Sequence, residues 1–271
     1  RRSVLAFGGA LLLGAPPLRA QGTGILARLR TEKKVKVGFA NQPPFSALNP
    51  DGSVTGVAPT LAKAIMARLG VPAMEGVIAT YGELVPGMQA GRWDFVAAAL
   101  TINKQRCAQV RFSDPIVFDG AAIVSLKGEL PDQPKLLAEL ARRKLVIGVQ
   151  SGGANSRAAL AAGVELANMR QFPNDAAIID GLLAKRIQVA FGSNSSLKIA
   201  YGTRNLDVVV TYPVADGPAN GSGCAFRQGD ADLHEAFQTE LRAMKLSGEY
   251  LKIVSQFGFD VPPNLLPVTA D

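Results

Sequence analysis

A hydroxyl and a guanidinium follow one apolar segment at a spacing that suits anion binding. Residues 95–100 are uniformly apolar, Thr101 comes next, and Arg106 follows five residues later. A guanidinium presents a planar fork of donors that meets both oxygens of a carboxylate. Ligands of open α/β sheets bind outside the carboxyl ends of the strands. This segment therefore predicts a site for a small carboxylate.

A pair of glycines precedes a second candidate anion site. The segment Ser151-Gly152-Gly153-Ala154-Asn155 leads from an apolar stretch into a predicted helix that runs to Ala161. Glycine lets the backbone approach a ligand closely, and the free N–H groups at a helix N-terminus favour an anion. These residues are candidate ligand contacts, although they also suit an ordinary strand-to-helix turn.

Strands and helices alternate along the chain, which predicts an α/β fold. The first half has the pattern strand-helix-strand-helix-strand over 34–40, 60–69, 73–80, 83–90 and 95–100. A similar alternation follows Pro115, and crossings lie near 115–120 and in the Gly-rich stretch near 216–222. We expect two doubly wound lobes with a ligand cleft between them and a hinge that allows closure.

The first 20 residues have the pattern of a secretory signal peptide. A basic start, a short apolar stretch and Leu18-Arg19-Ala20 before Gln21 fit cleavage near Ala20. The paired arginines leave Sec and twin-arginine export both open. We therefore predict an exported, periplasmic protein. The predicted domains are a signal peptide at 1–20, a first lobe at 21–117, a second lobe at 118–219 and a return segment of the first lobe at 220–271.

Charge and cysteine content narrow the function classes. Without Arg1, Arg2 and Arg19 the 29 basic residues fall to 26 against 22 acidic ones, a net charge of +4. The basic residues are scattered, without interleaved aromatics, so we expect no nucleic-acid partner. Cys107 and Cys224 are either a disulfide of an oxidising compartment or two buried thiols.

The sequence lacks the motifs of common catalytic and metal sites. One histidine, His234, on a predicted polar and solvated helix face, provides no Ser-His-Asp set. Neither Cys-x-x-Cys nor His-Glu-x-x-His is present, and no phosphate-binding loop occurs. We expect a binding protein without cofactor or metal, and no enzyme.

Six short motifs, in matching order and spacing, resemble the family 3 extracellular solute-binding proteins, the periplasmic components of amino-acid-type ABC importers. They lie at 38–45, 51–56, 84–94, 101–106, 112–115 and 247–250. Within that family the sequence is most similar to the ectoine and hydroxyectoine binders, through 40–45, 56–59 and Arg106-Cys107. The resemblance implies the type II periplasmic binding fold. It also implies a monomer that delivers a small carboxylate-bearing ligand to an ABC transporter permease.

The resemblance also implies roles for the residues of the cleft. Arg106 and Thr101 would hold the ligand's carboxylate, and residues 153–155 would complete that site from the second lobe. Phe45 and Tyr81 match positions that sandwich the body of the ligand, where aromatic faces attract positive charge. The expected ligand-binding residues are Gln42, Phe45, Tyr81, Ala99, Thr101, Arg106, Gly153, Ala154, Asn155 and Ser193.

Two positions depart from the family pattern on the cation side of the cleft. Ser193 stands where amino-acid binders carry an aspartate, and Gln42 stands where the ectoine binders carry a glutamate. The third cage aromatic of the ectoine binders corresponds to Thr101. A buried ammonium without an acid is costly, so we expect a delocalised, neutral or quaternised nitrogen, or a simple carboxylic acid. Glu83 and Asp119 are candidates for a substitute acid.

The sequence thus predicts a periplasmic solute-binding protein of an ABC importer. It would capture an ectoine-like or amino-acid-derived carboxylate by hinge closure. The alternative is an enzyme similar to cyclohexadienyl or arogenate dehydratase, because such a periplasmic enzyme resembles this fold. That chemistry needs a positioned carboxylic acid in the cleft, and the missing acids at 42 and 193 argue against it.

Overall fold

The computed structural model describes residues 24–218 and 221–259. The predicted signal peptide lies outside these residues. The helices are α1 (Ile25–Glu32), α2 (Val57–Arg68), α3 (Tyr81–Gln89), α4 (Lys104–Cys107), α5 (Leu137–Arg142), α6 (Ala154–Ala161), α7 (Asp175–Leu183), α8 (Asn194–Gly202), α9 (Ala231–Ser247) and α10 (Glu249–Ser255). The strands are β1 (Lys34–Phe39), β2 (Ala47–Leu48), β3 (Val54–Thr55), β4 (Ala73–Ile78), β5 (Phe95–Thr101), β6 (Val110–Phe112), β7 (Val117–Phe118), β8 (Ala121–Leu126), β9 (Ile147–Gln150), β10 (Met169–Phe172), β11 (Val189–Ser193), β12 (Val208–Thr211) and β13 (Gly221–Arg227).

The first lobe is built on a sheet with the strand order β4-β1-β5-β13-β6, and β7 also pairs with β13. The strands β4, β1 and β5 are parallel, whereas β13 runs antiparallel to β5. Phe95 of β5, Phe226 of β13 and Phe237 of α9 pack together with ring centroids 5.1–5.8 Å apart. These aromatic contacts tie the returning segment to the first part of the lobe.

The second lobe has a sheet of its own, with the strand order β10-β9-β11-β8-β12. The strands β10, β9 and β11 are parallel, and β8 pairs antiparallel with both β11 and β12. Its core contains Ile147, Val189 and Phe191, all fully buried. Since β13 follows this sheet in the sequence, the chain crosses between the lobes twice. The predicted α/β class with two lobes is confirmed, while the exact domain limits stay a prediction.

Two local features differ from the sequence analysis because tertiary contacts decide the structure there. The helix α1 was not expected, and it is held by the Leu26 amide, which donates to Asp232 of α9 at 2.9 Å. The strand β13 begins at Gly221, inside the stretch predicted as a Gly-rich crossing. Pairing of Ser222 with Thr101 extends this strand, so contact with β5 overrides the low strand propensity of glycine.

The histidine and the cysteines also differ from expectation. The predicted solvated position of His234 is wrong: its Nε2 lies 2.8 Å from the Phe112 carbonyl oxygen, and its ring packs on Phe226. Cys107 is exposed and Cys224 is buried, and the two are not bonded to each other. Burial raises the pKa of the Cys224 thiol to about 12. Among the described residues, no helix is both long enough and apolar enough to cross a bilayer.

Candidate functional site

A cavity of about 60 Å³ lies between the two lobes. One water molecule needs ~10–15 Å³ of such space, so the cavity has room for a small solute. Nine of the ten predicted ligand-binding residues line it, and Arg106 is the exception. The lining residues that were not among those ten are Asp119, Gly120, Ala121, Gln150, Pro218 and Ser222. The structure therefore brings the predicted residues together, and their contact with a ligand stays a prediction.

An irregularity in strand β5 brings Ala99 and Thr101 to the cavity. The pairing of β13 with β5 shifts register between Gly223 and Ala225, as in a β-bulge. Ala99 has a φ of +47°, which is uncommon outside glycine. A bulge bends the strand and redirects the residues after it. Such strained residues cluster at functional sites, and here the strained residue is part of the cavity wall.

Two aromatic side chains from the first lobe line the cavity. Phe45 and Tyr81 are both buried, and the Tyr81 hydroxyl donates to the Ala98 carbonyl oxygen at 2.9 Å. Burial raises the pKa of this hydroxyl well above its usual range, so Tyr81 is neutral. Tyr81 begins helix α3, which is capped by Thr80 and Glu83. Glu83 serves the helix and is not among the cavity-lining residues, which removes it as the substitute acid.

Arg106 is a buried cation without an acidic partner among the described residues. It is 8% exposed, and its guanidinium donates to the carbonyl oxygens of Thr101 at 3.0 Å and Gly152 at 3.4 Å. Desolvation lowers the pKa of Arg106 to about 10, and the nearby charge of Arg157 acts in the same direction. Arg157 also donates to Gly152, at 3.1 Å. Two positive charges therefore meet next to the glycine loop, where an anion would stabilise both.

Gln42 and Asp175 join the two lobes through a buried hydrogen bond. The Gln42 Nε2 donates to Asp175 Oδ2 at 2.8 Å, and the two residues are 5% and 1% exposed. Burial raises the pKa of the Asp175 carboxyl to about 6, and the charge of Asp119 adds to this rise. Gln42 was expected to mark a missing acid. The structure instead places an acid directly behind its amide.

Of the two candidate substitute acids, Asp119 is the one that the structure brings to the cleft. It lines the cavity, and it accepts hydrogen bonds from the hydroxyls of Ser193 and Ser195 and from the Ser195 amide. Desolvation raises the pKa of Asp119 above its ordinary value. Because 74 residues separate Asp119 from Ser193, no local motif joins them. The sequence could name Asp119 only as one of two alternatives.

The two lobes touch at a pair of glycines. Gly152 has a φ of +67°, and a Cβ on it would lie 2.5 Å from the Gly82 Cα and 2.6 Å from the Gly82 nitrogen. Real Cβ atoms do not approach backbone so closely. This contact, the Gln42–Asp175 bond and the Arg106–Gly152 bond join the two lobes directly, and we call this arrangement the closed form.

Comparisons with known proteins place these features in one family. The model of the bacterial extracellular solute-binding proteins, family 3, matches residues 35–260. A probable amino-acid ABC transporter periplasmic-binding protein of Sinorhizobium fredii is 25% identical over 245 residues, which cover 88% of this chain and 81% of the relative.

Two solved structures are similar to the whole arrangement. EhuB in complex with hydroxyectoine has a TM-score of 0.83 and 36% identity, with 87% of this chain and 92% of EhuB covered. The ancestral amino acid-binding protein AncCDT-1, a precursor of cyclohexadienyl dehydratase, has a TM-score of 0.75 and 28% identity, with 87% and 99% covered.

The buried carboxyl of Asp175 leads to a prediction about pH. Its folded pKa of about 6 exceeds the ~3.9 of an unfolded aspartate, so the folded protein binds this proton more tightly. The contribution of Asp175 to the unfolding free energy is complete below pH ~4, where the carboxyl is protonated in both states. It is lost as the pH rises to ~6, because the unfolded carboxyl ionises over this range while the buried one still holds its proton. The unfolding free energy of the native protein, relative to Asp175→Asn, should therefore fall by about 3 kcal/mol over this range. Above pH ~6 the difference should be level.

Urea unfolding at a series of pH values measures this difference. Asp132→Asn, at an exposed acid of the same lobe, is the matched control and should show no such slope relative to the native protein. A native-minus-variant difference for Asp175→Asn that is flat between pH 4 and 6 would contradict the assignment.

The glycine contact predicts the effect of one methyl group on lobe closure. Gly152→Ala and Gly128→Ala both place alanine at positive φ, at a cost of roughly 1–3 kcal/mol. Only the methyl at 152 would meet the other lobe, because nothing lies within 4 Å of the Gly128 position. With a bound solute, X-ray scattering should give Gly152→Ala a larger radius of gyration than Gly128→Ala. Equal radii would rule out this contact as a requirement for closure.

Proposed function

Because the chain belongs to the bacterial extracellular solute-binding proteins, family 3, we propose that it captures an ectoine-like or amino-acid-derived carboxylate for an ABC importer. One observation carries the carboxylate part of this proposal: Arg106 is buried at the lobe interface without an acidic partner among the described residues. A buried unpaired charge is expensive. A bound carboxylate would supply the missing countercharge.

The geometry supports capture from both lobes at once. On the first lobe, a ligand carboxylate would bind the N–H groups of the Arg106 guanidinium that the carbonyl oxygens of Thr101 and Gly152 leave free, and it would reach the hydroxyl of Thr101. On the second lobe, Gly153 is the N-cap of α6, and Ala154 and Asn155 form its first turn, where the backbone N–H groups have no partner within the helix. The body of the ligand would lie against the rings of Phe45 and Tyr81, which line the same cavity.

Closure of the lobes would couple capture to delivery. The bonds Gln42–Asp175 and Arg106–Gly152 cross from one lobe to the other, and both belong to residues at or beside the cavity. A ligand that stabilises the closed arrangement shifts the population towards it. In this proposal the closed form is the one that the ABC transporter permease recognises.

The location and assembly of the protein are part of the same proposal. A periplasmic location is supported by the Sinorhizobium relative, which is described as a periplasmic-binding protein, and by the export pattern of residues 1–20. The protein acts as a monomer, and nucleic acid is not a partner. Analytical ultracentrifugation of the mature chain measures its mass in solution and so tests whether it is a monomer.

Binding of small carboxylates should depend on Arg106. We expect a thermal-shift screen of amino acids, ectoines, betaines and simple carboxylates to identify at least one solute that raises the melting temperature. Replacing a desolvated charge partner costs about 2–5 kcal/mol, so Arg106→Ala should weaken that solute at least 30-fold in calorimetry. Arg92→Ala, at an exposed arginine of the same lobe, should bind as the native protein does. Unchanged affinity in Arg106→Ala would rule out Arg106 as the residue that binds the ligand's carboxylate.

A dehydratase activity is the second candidate because Asp119 provides a positioned acid in the cavity. The argument from missing acids against this candidate therefore no longer holds. The similarity to AncCDT-1 favours binding, since that protein is itself described as an amino acid-binding protein. We expect no conversion when the protein is incubated with prephenate or arogenate and the mixture is assayed for phenylpyruvate or phenylalanine. Product formation that disappears in Asp119→Asn would establish the enzyme instead.

A further inference from the structure

Of the described residues that line the inter-lobe cavity, Asp119 is the only acid. Asp175 is 1% exposed and bonds to the amide of Gln42, and it is not part of the lining. Glu83 accepts hydrogen bonds from Thr80 at the start of α3 and is likewise absent from it. A ligand in the cavity would therefore meet one carboxylate.

The Asp119 carboxylate is held in place by several donors. Ser193 Oγ donates to Oδ2, Ser195 Oγ donates to Oδ1 at 2.9 Å, and the Ser195 amide donates to Oδ2 at 3.3 Å. The backbone beside it is also fixed, because the Asn194 amide donates to the Gly120 carbonyl oxygen at 3.0 Å. A carboxylate held in this way needs little further ordering when a ligand binds.

Asp119 also lacks a countercharge. No lysine or arginine within the described part of the chain forms an ion pair with it. The guanidiniums of Arg106 and Arg157 meet at Gly152, whereas Asp119 is bound to Ser193 and Ser195. The site therefore contains one anion without a countercharge, Asp119. It also contains two cations without a countercharge, Arg106 and Arg157, which lie on other elements.

We propose that Asp119 pairs with the cationic part of the solute, so that the preferred ligands are zwitterions with a charged nitrogen. The inference rests on the proposed function and replaces the sequence-based expectation of a pocket without a cation partner. Ser193 then has a supporting role: its hydroxyl orients the acid that binds the ligand. The crossing segment between β7 and β8 supplies that acid.

A pair of solutes with the same shape tests this charge directly. Glycine betaine and 3,3-dimethylbutyrate share a carboxylate and differ in one atom, the cationic nitrogen or an uncharged carbon. L-arginine and hydroxyectoine extend the set of zwitterions. We expect the native protein to bind at least one zwitterion, and to bind glycine betaine more tightly than its uncharged isostere wherever either binds.

The variant Asp119→Asn keeps the size of the side chain and removes its charge. Calorimetry should show at least a 30-fold loss of affinity for the zwitterion that binds, from the ~2 kcal/mol or more of a desolvated charge pair. Any binding of 3,3-dimethylbutyrate should be retained. Glu83→Gln, at an acid outside the cavity, should bind zwitterions as the native protein does, because glutamine also serves the helix cap.

The outcomes separate this inference from the proposed function. If the native protein binds none of the amino acids, ectoines, betaines or simple carboxylates, the proposed function itself fails. If it binds simple carboxylates but no zwitterion, the function stands and the inference is overturned. An Asp119→Asn variant that binds the zwitterion as tightly as the native protein overturns it too. The inference is also overturned if Asp119→Asn loses affinity equally for the zwitterion and for its uncharged isostere.

Discussion

Desolvation of charge in the cleft is the constraint on which the closed structure depends. Arg106 is buried among carbonyl oxygens, Asp175 is buried behind an amide, and Asp119 lies in the cavity wall. In the open form water would solvate these groups. In the closed form this solvation is reduced, and no ion pair within the described residues replaces it. In the proposed function, a ligand with complementary charges would offset this cost, and closure would therefore depend on the right solute.

The fold places these charges at the cleft through its crossings as well as its strand ends. Asp119 and Gly120 belong to the first crossing, Pro218 belongs to the second, and Ser222 lies in β13, which follows it. In the proposed function, a ligand in the cavity would therefore contact the connections between the lobes in addition to the lobes themselves. Such contacts would couple binding to the angle between the lobes directly.

Part of the site could be predicted from local motifs that follow strand ends, whereas most of the other lining residues were named through the family resemblance. Thr101 comes directly after an apolar strand and residues 153–155 begin a helix, so their positions follow from the local pattern alone. The strand from Gly221 could not be predicted in this way, since pairing with β5 forms it. The sequence named Asp119 only as one of two candidate acids, because its partners Ser193 and Ser195 are distant in the chain and adjacent in the fold.

The two departures from the family pattern have one physical explanation. At each position a neutral side chain replaces an acid, and each neutral side chain donates a hydrogen bond to an acid elsewhere: Gln42 to Asp175 and Ser193 to Asp119. Positions 42 and 193 thus carry no negative charge, but an acid lies in hydrogen-bond contact with each of them. The two acids differ in their access to a ligand, because Asp175 is buried behind the Gln42 amide whereas Asp119 lines the cavity. Asp175 can act on a ligand only by orienting Gln42, and Asp119 can meet the ligand's charge directly.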